Sequence, residues 1–273
     1  MKNKPEEINI LTFDIEDWFH THQYRHQYNA RVWDKLPSKV EDNTDRILDM
    51  LEKQGRKATF FVLGWVARRH APLIRKIYSK GHDIGAHSYW HQSPQRLSKE
   101  DFEKDLKNCL DVLENITGEK VTAYRAPGFN LHLKDKMAFE ILSGNGIKLD
   151  SSVQLWPSSR QIPITIKTSQ NEIIEFPLIT SPLGFPYTGG GYFRVYPTPV
   201  FNYLFKQQNY HLFYFHPRDF DPDNPSSNLF SVSRNLLNRL NTGKSLKHLD
   251  QILRNIKTCT LQEASAKFPD RSS

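Results

Sequence analysis

The chain has 273 residues, 38% of them hydrophobic and 25% charged, and its 37 lysines and arginines against 30 acids leave a formal net charge of +7. That length admits one α/β domain of barrel size or two small ones, and no linker argues for two. The basic balance, with a pI near 9.2, favours acidic glycans, lipid-linked phosphates or peripheral contact with an anionic membrane, unless it is only a solvated surface; lysines and arginines spread without an arginine-rich run argue against nucleic acid.

The opening MKNKPEEINI lacks the apolar segment of a secretion signal, and no run reaches membrane-spanning length, so the chain as given is expected to be cytoplasmic. Ile8, Ile10, Leu11 and Phe13 read as a buried strand that ends on three carboxylates, Asp14, Glu16 and Asp17. Trp18 to Pro37 is a loop rich in aromatics and imidazoles (Trp18, Phe19, His20, His22, Tyr24, His26, Tyr28, Trp33), either a lid packed on itself or a wall that stacks on sugar rings. His20 and His22, isolated in that polar loop, are read as non-ligands.

Val40 to Gln54 is helical and closed by Gly55, Lys57 to Leu63 is a buried strand, and Val66 to Lys80 is a helix ended by Gly81. Asp83 to Ala86 is a short strand. Ser98 then caps a long helix whose core face is Phe102, Leu106, Cys109, Leu113 and Ile116; Gly118 stops it and Val121 to Arg125 is the next strand. Strand and helix alternate, which predicts parallel strands with helices outside and chemistry at the C-terminal strand ends, as a barrel or an open sheet.

The second half is less regular. Met137 to Gly144 is a short helix, Ile147 to Asp150 and Glu172 to Phe176 are strands, and Leu178 to Gly191 is a loop ending in Gly189, Gly190 and Gly191 with no helix expected after it. Pro199 opens a helix to about Gln208, and Leu212 to Phe215 is a strand that delivers His216. Asn228 to Lys257 reads as two helices split near Gly243, and Cys259 to Lys267 as a final small strand and helix. Cys109 and Cys259 belong to no metal or redox motif and read as small buried residues.

Three ionised carboxylates at the mouth of a core strand cost several kcal/mol unless a cation or donors compensate. HDIGAHSYWH offers the remaining ligands: His87 and His91 are four apart, so one helical turn or tight loop brings both imidazoles to one side. Two imidazoles and one carboxylate form the minimum set for a hydrolytic metal with open positions, and suit zinc as well as iron, cobalt or nickel. Side chains alternate along a strand, so Glu16 shares the face of Asp14 and Asp17 points the other way. Arg125, Asp150, Arg194 and His216 fall at further strand or loop ends.

Together TFDIEDW, HSYWH, YRAPGF, LDSS, GGGYFR and YFHP resemble the polysaccharide deacetylases of the NodB-homology type, carbohydrate esterase family 4, in the branch found with exopolysaccharide and capsule loci. The resemblance spans about Ile8 to Pro222, with 223–273 as a helical extension of a single domain. It implies a distorted (β/α)7 barrel, one divalent metal, zinc first, and hydrolysis of N-acetyl groups on the amino sugars of a surface polysaccharide or its lipid-linked oligosaccharide precursor. It further implies Asp14 as general base, Arg125 as the arginine that positions it, His216 as the acid that protonates the leaving amine, and His87 and His91 as metal ligands. The third ligand is Glu16, with Asp17 in reserve, because Ile15 stands where typical members have a second aspartate. Asp150 is expected to keep His216 cationic, its alternative being a turn cap on Ser152. Trp18, Phe129, Gly191 and Arg194 are expected to contact substrate. Gly128 stands where the family's usual aromatic falls, which leaves the backbone donor to the oxyanion open. Two other readings of the same residues are an amide hydrolase acting on a small cyclic amide and a catalytically silent glycan-binding barrel.

Overall fold

Alternate residues of the first strand, β1 (Ile8–Ile15), enter two different cores. Leu11, Phe13 and Ile15 pack outward against helices, while Ile8 and Ile10 join Phe61, Leu149, Phe176 and Leu212 on the inner side of a curled sheet. This period of two carries Thr12, Asp14 and Glu16 along the inner face to the C-terminal mouth. A computed structural model describes residues 7–21, 30–156, 162–181, 184, 187–223 and 240–268. His22, Tyr24, His26, Tyr28 and the first of the two helices expected from Asn228 lie outside the described residues.

The remaining strands are β2 (Thr59–Val62), β3 (Asp83–Ala86), β4 (Ala123–Tyr124), β5 (Leu149–Asp150), β6 (Gln154–Leu155), β7 (Ile164–Lys167), β8 (Glu172–Glu175), β9 (Leu178–Ile179) and β10 (Tyr210–Phe215). One sheet runs in the order β10, β1, β2, β3, β4, β5, β8, β7, and every neighbouring pair is parallel except β8 with β7. This is the expected distorted (β/α)7 barrel. Between β8 and β10 no ladder forms among the described residues; Tyr210 Oη donates to Pro177 O (2.9 Å) and Gln208 Nε2 to Thr180 O (2.9 Å) across the seam.

Helices α1 (Val40–Lys53), α2 (Gly64–Arg69), α3 (Ala71–Ser79) and α4 (Lys99–Thr117) cover the outside of the first half. The single helix expected over 66–80 is two: Pro72 lacks an N–H and its ring excludes the carbonyl four residues back, so the chain breaks at His70 (φ −121°, ψ 44°). Ser98 Oγ accepts from Asp101 N, and Gly118 ends α4 with φ 75°. The hairpin β7–β8 and the pair β6–β9 were not anticipated, because their residues alternate weakly and are short. The helix Leu261–Ala266 plugs the barrel floor, its Leu261 and Ala264 inside the inner core and Leu261 N bonded to Thr59 Oγ1 (2.8 Å). Among the described residues no helix is long and apolar enough to cross a membrane.

Candidate active site

Asp14 reaches the mouth at the end of β1, where Arg125, just past β4, meets it. Arg125 Nη1 donates to Asp14 Oδ1 (2.7 Å) and Thr12 Oγ1 (2.8 Å), Nε to Ser151 O (3.1 Å) and Nη2 to Ser151 Oγ (2.9 Å). The guanidinium lies 4.1 Å from the Phe61 ring and 4.7 Å from that of Phe129, and is wholly buried. A charge so enclosed is tolerable because its donors are spent, and the fork fixes the carboxylate plane of Asp14.

Beside this pair, ligand atoms of Glu16, His87 and His91 all lie within 4.8 Å of one another. His87 follows β3, and its Nδ1 donates to Arg125 O (2.8 Å), which leaves Nε2 with the lone pair. The chain from His87 to His91 is a loop, not a helical turn, with Ser88 and His91 in left-handed backbone (φ 65° and 54°). Such conformations cost about 1–3 kcal/mol each and persist where the surroundings impose them. Here Asp105 of α4 imposes them, accepting from Tyr89 N (2.8 Å) and Trp90 N (3.0 Å). Glu16 Oε2 is 2.6 Å from His91 Nε2, yet it is buried without an aligned hydrogen bond. Two imidazole nitrogens and a carboxylate oxygen brought together in this way fit a divalent cation. Burial alone would push the Glu16 carboxyl up, but His91, Arg218 and His216 together hold it well below the usual range. Burial pushes His87 down to about 4, so it is neutral, as a ligand must be.

The turn after β10 delivers three groups. His216 Nε2 faces Glu16 Oε1 at 3.2 Å and Asp14 Oδ2 at 3.9 Å; its Nδ1 is 3.1 Å from Asp219 Oδ2, which also accepts from the His216 N–H (2.9 Å). Arg218 Nη1 donates to Glu16 Oε1. Sequence reasoning missed Arg218 and Asp219, although HPRD carries a signal: an acid three residues after a strand-end residue can return to that residue's N–H. It also missed Asp105, whose signal was an acid set in the apolar stripe of α4.

The carboxylate on His216 is therefore Asp219, not Asp150. Asp150 and Glu175, both fully buried, share a hydrogen bond, and Asp150 Oδ1 accepts from Ser152 Oγ (2.6 Å), whose oxygen accepts from Ala126 N (2.7 Å). Burial, and then the Asp150 charge, push Glu175 well above the usual range, so the pair carries a proton and props the loop behind Arg125. Asp17 likewise lies outside the cluster: it accepts from Trp18 N (2.9 Å), Ser38 Oγ (2.5 Å) and Lys39 N (3.1 Å), capping the turn Trp18–His20.

Trp18 is buried, with Nε1 on Pro37 O (3.0 Å), and so forms no open wall. Phe19, His20, Trp33 and Trp65 pack edge to face beside it, the self-packed form of the loop. His20 accepts from Asp17 N at Nδ1 (2.8 Å) and is not one of the three clustered residues. Phe129 (φ 51°) is half-buried over Arg125, its N–H spent on Ala126 O (3.1 Å). Gly191 is exposed in the short helix Gly190–Phe193, which the glycine run was not expected to start, and Arg194 is turned toward Asp219 (3.6 Å).

Residues 2–136 match the family model described as Polysaccharide deacetylase, and residues 145–266 match one described as Domain of unknown function (DUF3473). The first segment carries Asp14, Glu16, His87, His91 and Arg125; the second carries Arg194, His216, Arg218 and Asp219. A peptidoglycan-N-acetylmuramic acid deacetylase of Bacillus subtilis is 33% identical over 100 residues, 36% of this chain and 21% of that protein. A chitin deacetylase of Arthroderma benhamiae is 34% identical over 93 residues, 32% of this chain and 25% of that protein. The chain thus spans about a fifth to a quarter of the length of these two curated relatives. The crystal structure of a putative polysaccharide deacetylase from Mycobacterium smegmatis superposes with a TM-score of 0.60 at 18% identity, covering 94% of each chain, a likeness of fold.

Proposed function

We propose, from the match of residues 2–136 to the polysaccharide deacetylase family, that the chain is a metal-dependent hydrolase of that family, removing N-acetyl groups from the amino sugars of a glycan polymer. The observation that carries this reading is the convergence of Glu16, His87 and His91 between the Arg125-bound Asp14 and the Asp219-bound His216. The substrate class is a surface polysaccharide or its lipid-linked precursor, and the net charge of +7 supports an anionic polymer or membrane surface beside it.

Amides resist water, and their amine leaves badly unless protonated. Glu16, His87 and His91 would hold a divalent ion, zinc first with iron, cobalt or nickel also suited, which would supply Lewis acidity toward the acetyl carbonyl and lower the pKa of water. Asp14 takes the proton of the attacking water, and Arg125 Nη1 on Oδ1 holds its carboxyl group aligned. His216 gives its Nε2 proton to the departing amine, and Asp219 holds Nδ1 so that this nitrogen faces the reacting atoms.

The test is acetate release from a panel of N-acetylated oligosaccharides. Release that stops with a chelator, returns with a divalent ion and is lost in Asp14→Asn supports the reading. Release as fast in Asp14→Asn as in the wild type removes Asp14 as the base, and no release from any member removes the activity.

A further inference from the structure

The glycine motif and Arg194, which the reaction above does not use, surround one carboxylate. A methyl group on Gly190 would lie 1.9 Å from Asp219 Oδ2 and 2.4 Å from its carboxyl carbon. That oxygen has little room to swing aside, since it holds both the backbone N–H and Nδ1 of His216. On the other oxygen, Arg194 Nη2 stands 3.6 Å from Asp219 Oδ1, while Arg194 Nε donates to Gly190 O (3.1 Å). The guanidinium is thus anchored on the same turn that abuts the carboxylate, and both side chains are nine-tenths buried, at 9% and 6% exposure. Gly189 extends the contact: it bridges to Tyr214, where a methyl would lie 2.3 Å from the phenol ring, so the strap lies flat along β10 two residues before His216.

We propose that Gly190 and Arg194 are positioning residues for the leaving-group acid, forming a cradle that fixes the Asp219 carboxylate and, through it, the ring of His216. This rests on the reading of His216 as proton donor. Burial would push the Asp219 carboxyl up, but His216, Arg194 and Arg218 hold it well below the usual range, so the cradle holds an anion. Glycine is needed at 190 because any side chain would have to displace that anion from His216, and arginine at 194 because it grips Asp219 and the Gly190 carbonyl together.

The full chain is assayed on an N-acetylated amino-sugar oligomer and on 4-nitrophenyl acetate, whose phenolate departs without a proton. The readout is the ratio of amide to ester turnover. His216→Ala is expected to lower it by about 100-fold or more. Arg194→Met is expected to lower it about 10–100-fold, as loss of a supporting partner does, with Arg194→Lys recovering part. Gly190→Ala, which leaves every charge in place, is expected to act in the same direction and carries the test should Arg194→Met not fold. A ratio lowered by His216→Ala but unmoved by Arg194→Met or Gly190→Ala overturns the cradle, as does equal loss on both substrates. A ratio unmoved by His216→Ala removes the proton-donor reading and the cradle with it.

Discussion

Glu16 Oε2 lies 2.6 Å from His91 Nε2, buried, without the alignment of a hydrogen bond. Ligand atoms of these two residues and of His87 all lie within 4.8 Å of one another, close enough to share one cation. One divalent ion per chain is expected by elemental analysis, lost in Glu16→Ala and in His91→Ala. Asp17→Asn, which touches the turn Trp18–His20 and Ser38 and Lys39 but not the cluster, is expected to keep the ion while losing about 1 kcal/mol of stability. Loss of the ion in Asp17→Asn would reverse the choice between the two acids.

Arg125 binds Thr12, Asp14 and Ser151 from full burial. Arg125→Met leaves Asp14 a buried, unpaired charge, and urea denaturation is expected to show a loss of about 3–5 kcal/mol. Arg125→Lys is expected to recover little, because a single ammonium cannot span three partners in a plane. A loss below about 1 kcal/mol would mean that Asp14 finds other donors or takes up a proton.

The two backbone N–H groups on Asp105 hold the loop between His87 and His91 in its left-handed turns. Asp105→Ala frees both, and is expected to weaken metal affinity about 10–100-fold, measured by equilibrium dialysis. Unchanged affinity would show that the loop keeps its shape without α4.

Both nitrogens of His211 are occupied in the neutral ring: Nδ1 accepts from Tyr187 Oη (2.7 Å) and Nε2 faces Gln208 O (3.2 Å). A second ring proton would put a charge in a buried site and reverse the tyrosine bond, and burial lowers its pKa from 6.5 to about 4. Between those values the unfolded chain binds the proton and the native one does not. Stability from this group is therefore complete above pH 6.5 and falls as the pH drops toward 4, by up to about 1.4 kcal/mol per unit. In His211→Asn the pH dependence of the denaturation midpoint from 6 to 4.5 is expected to be shallower by up to that slope; an identical slope would show that His211 titrates as in the unfolded chain.

Much of the site could be read early because strand geometry is local. The alternation of β1 put Glu16 on the face of Asp14 before any contact was known, and the spacing of His87 and His91 marked them as a pair. For Trp18 the same reasoning left a packed lid and a binding wall both open, and only its burial, edge to face with Phe19 and with Nε1 on Pro37 O, shows the packed form. For Asp150 it left His216 and Ser152 open as partners, because a strand-end acid can serve either, and the structure gives Ser152, with Glu175 beside it.

By itself the order of residues determined the repeating strand and helix units, the inner face of β1 and the residue types that a hydrolytic metal site requires, since these follow from backbone periodicity and side-chain chemistry. Tertiary structure decided the partners: Asp219 for His216, Arg218 for Glu16, Asp105 for the loop before His91, and Arg194 for Asp219. Those pairings depend on how the curled sheet brings β10 beside β1, residues some 200 positions apart in the chain, and no local pattern encodes which charged groups will meet once the barrel closes.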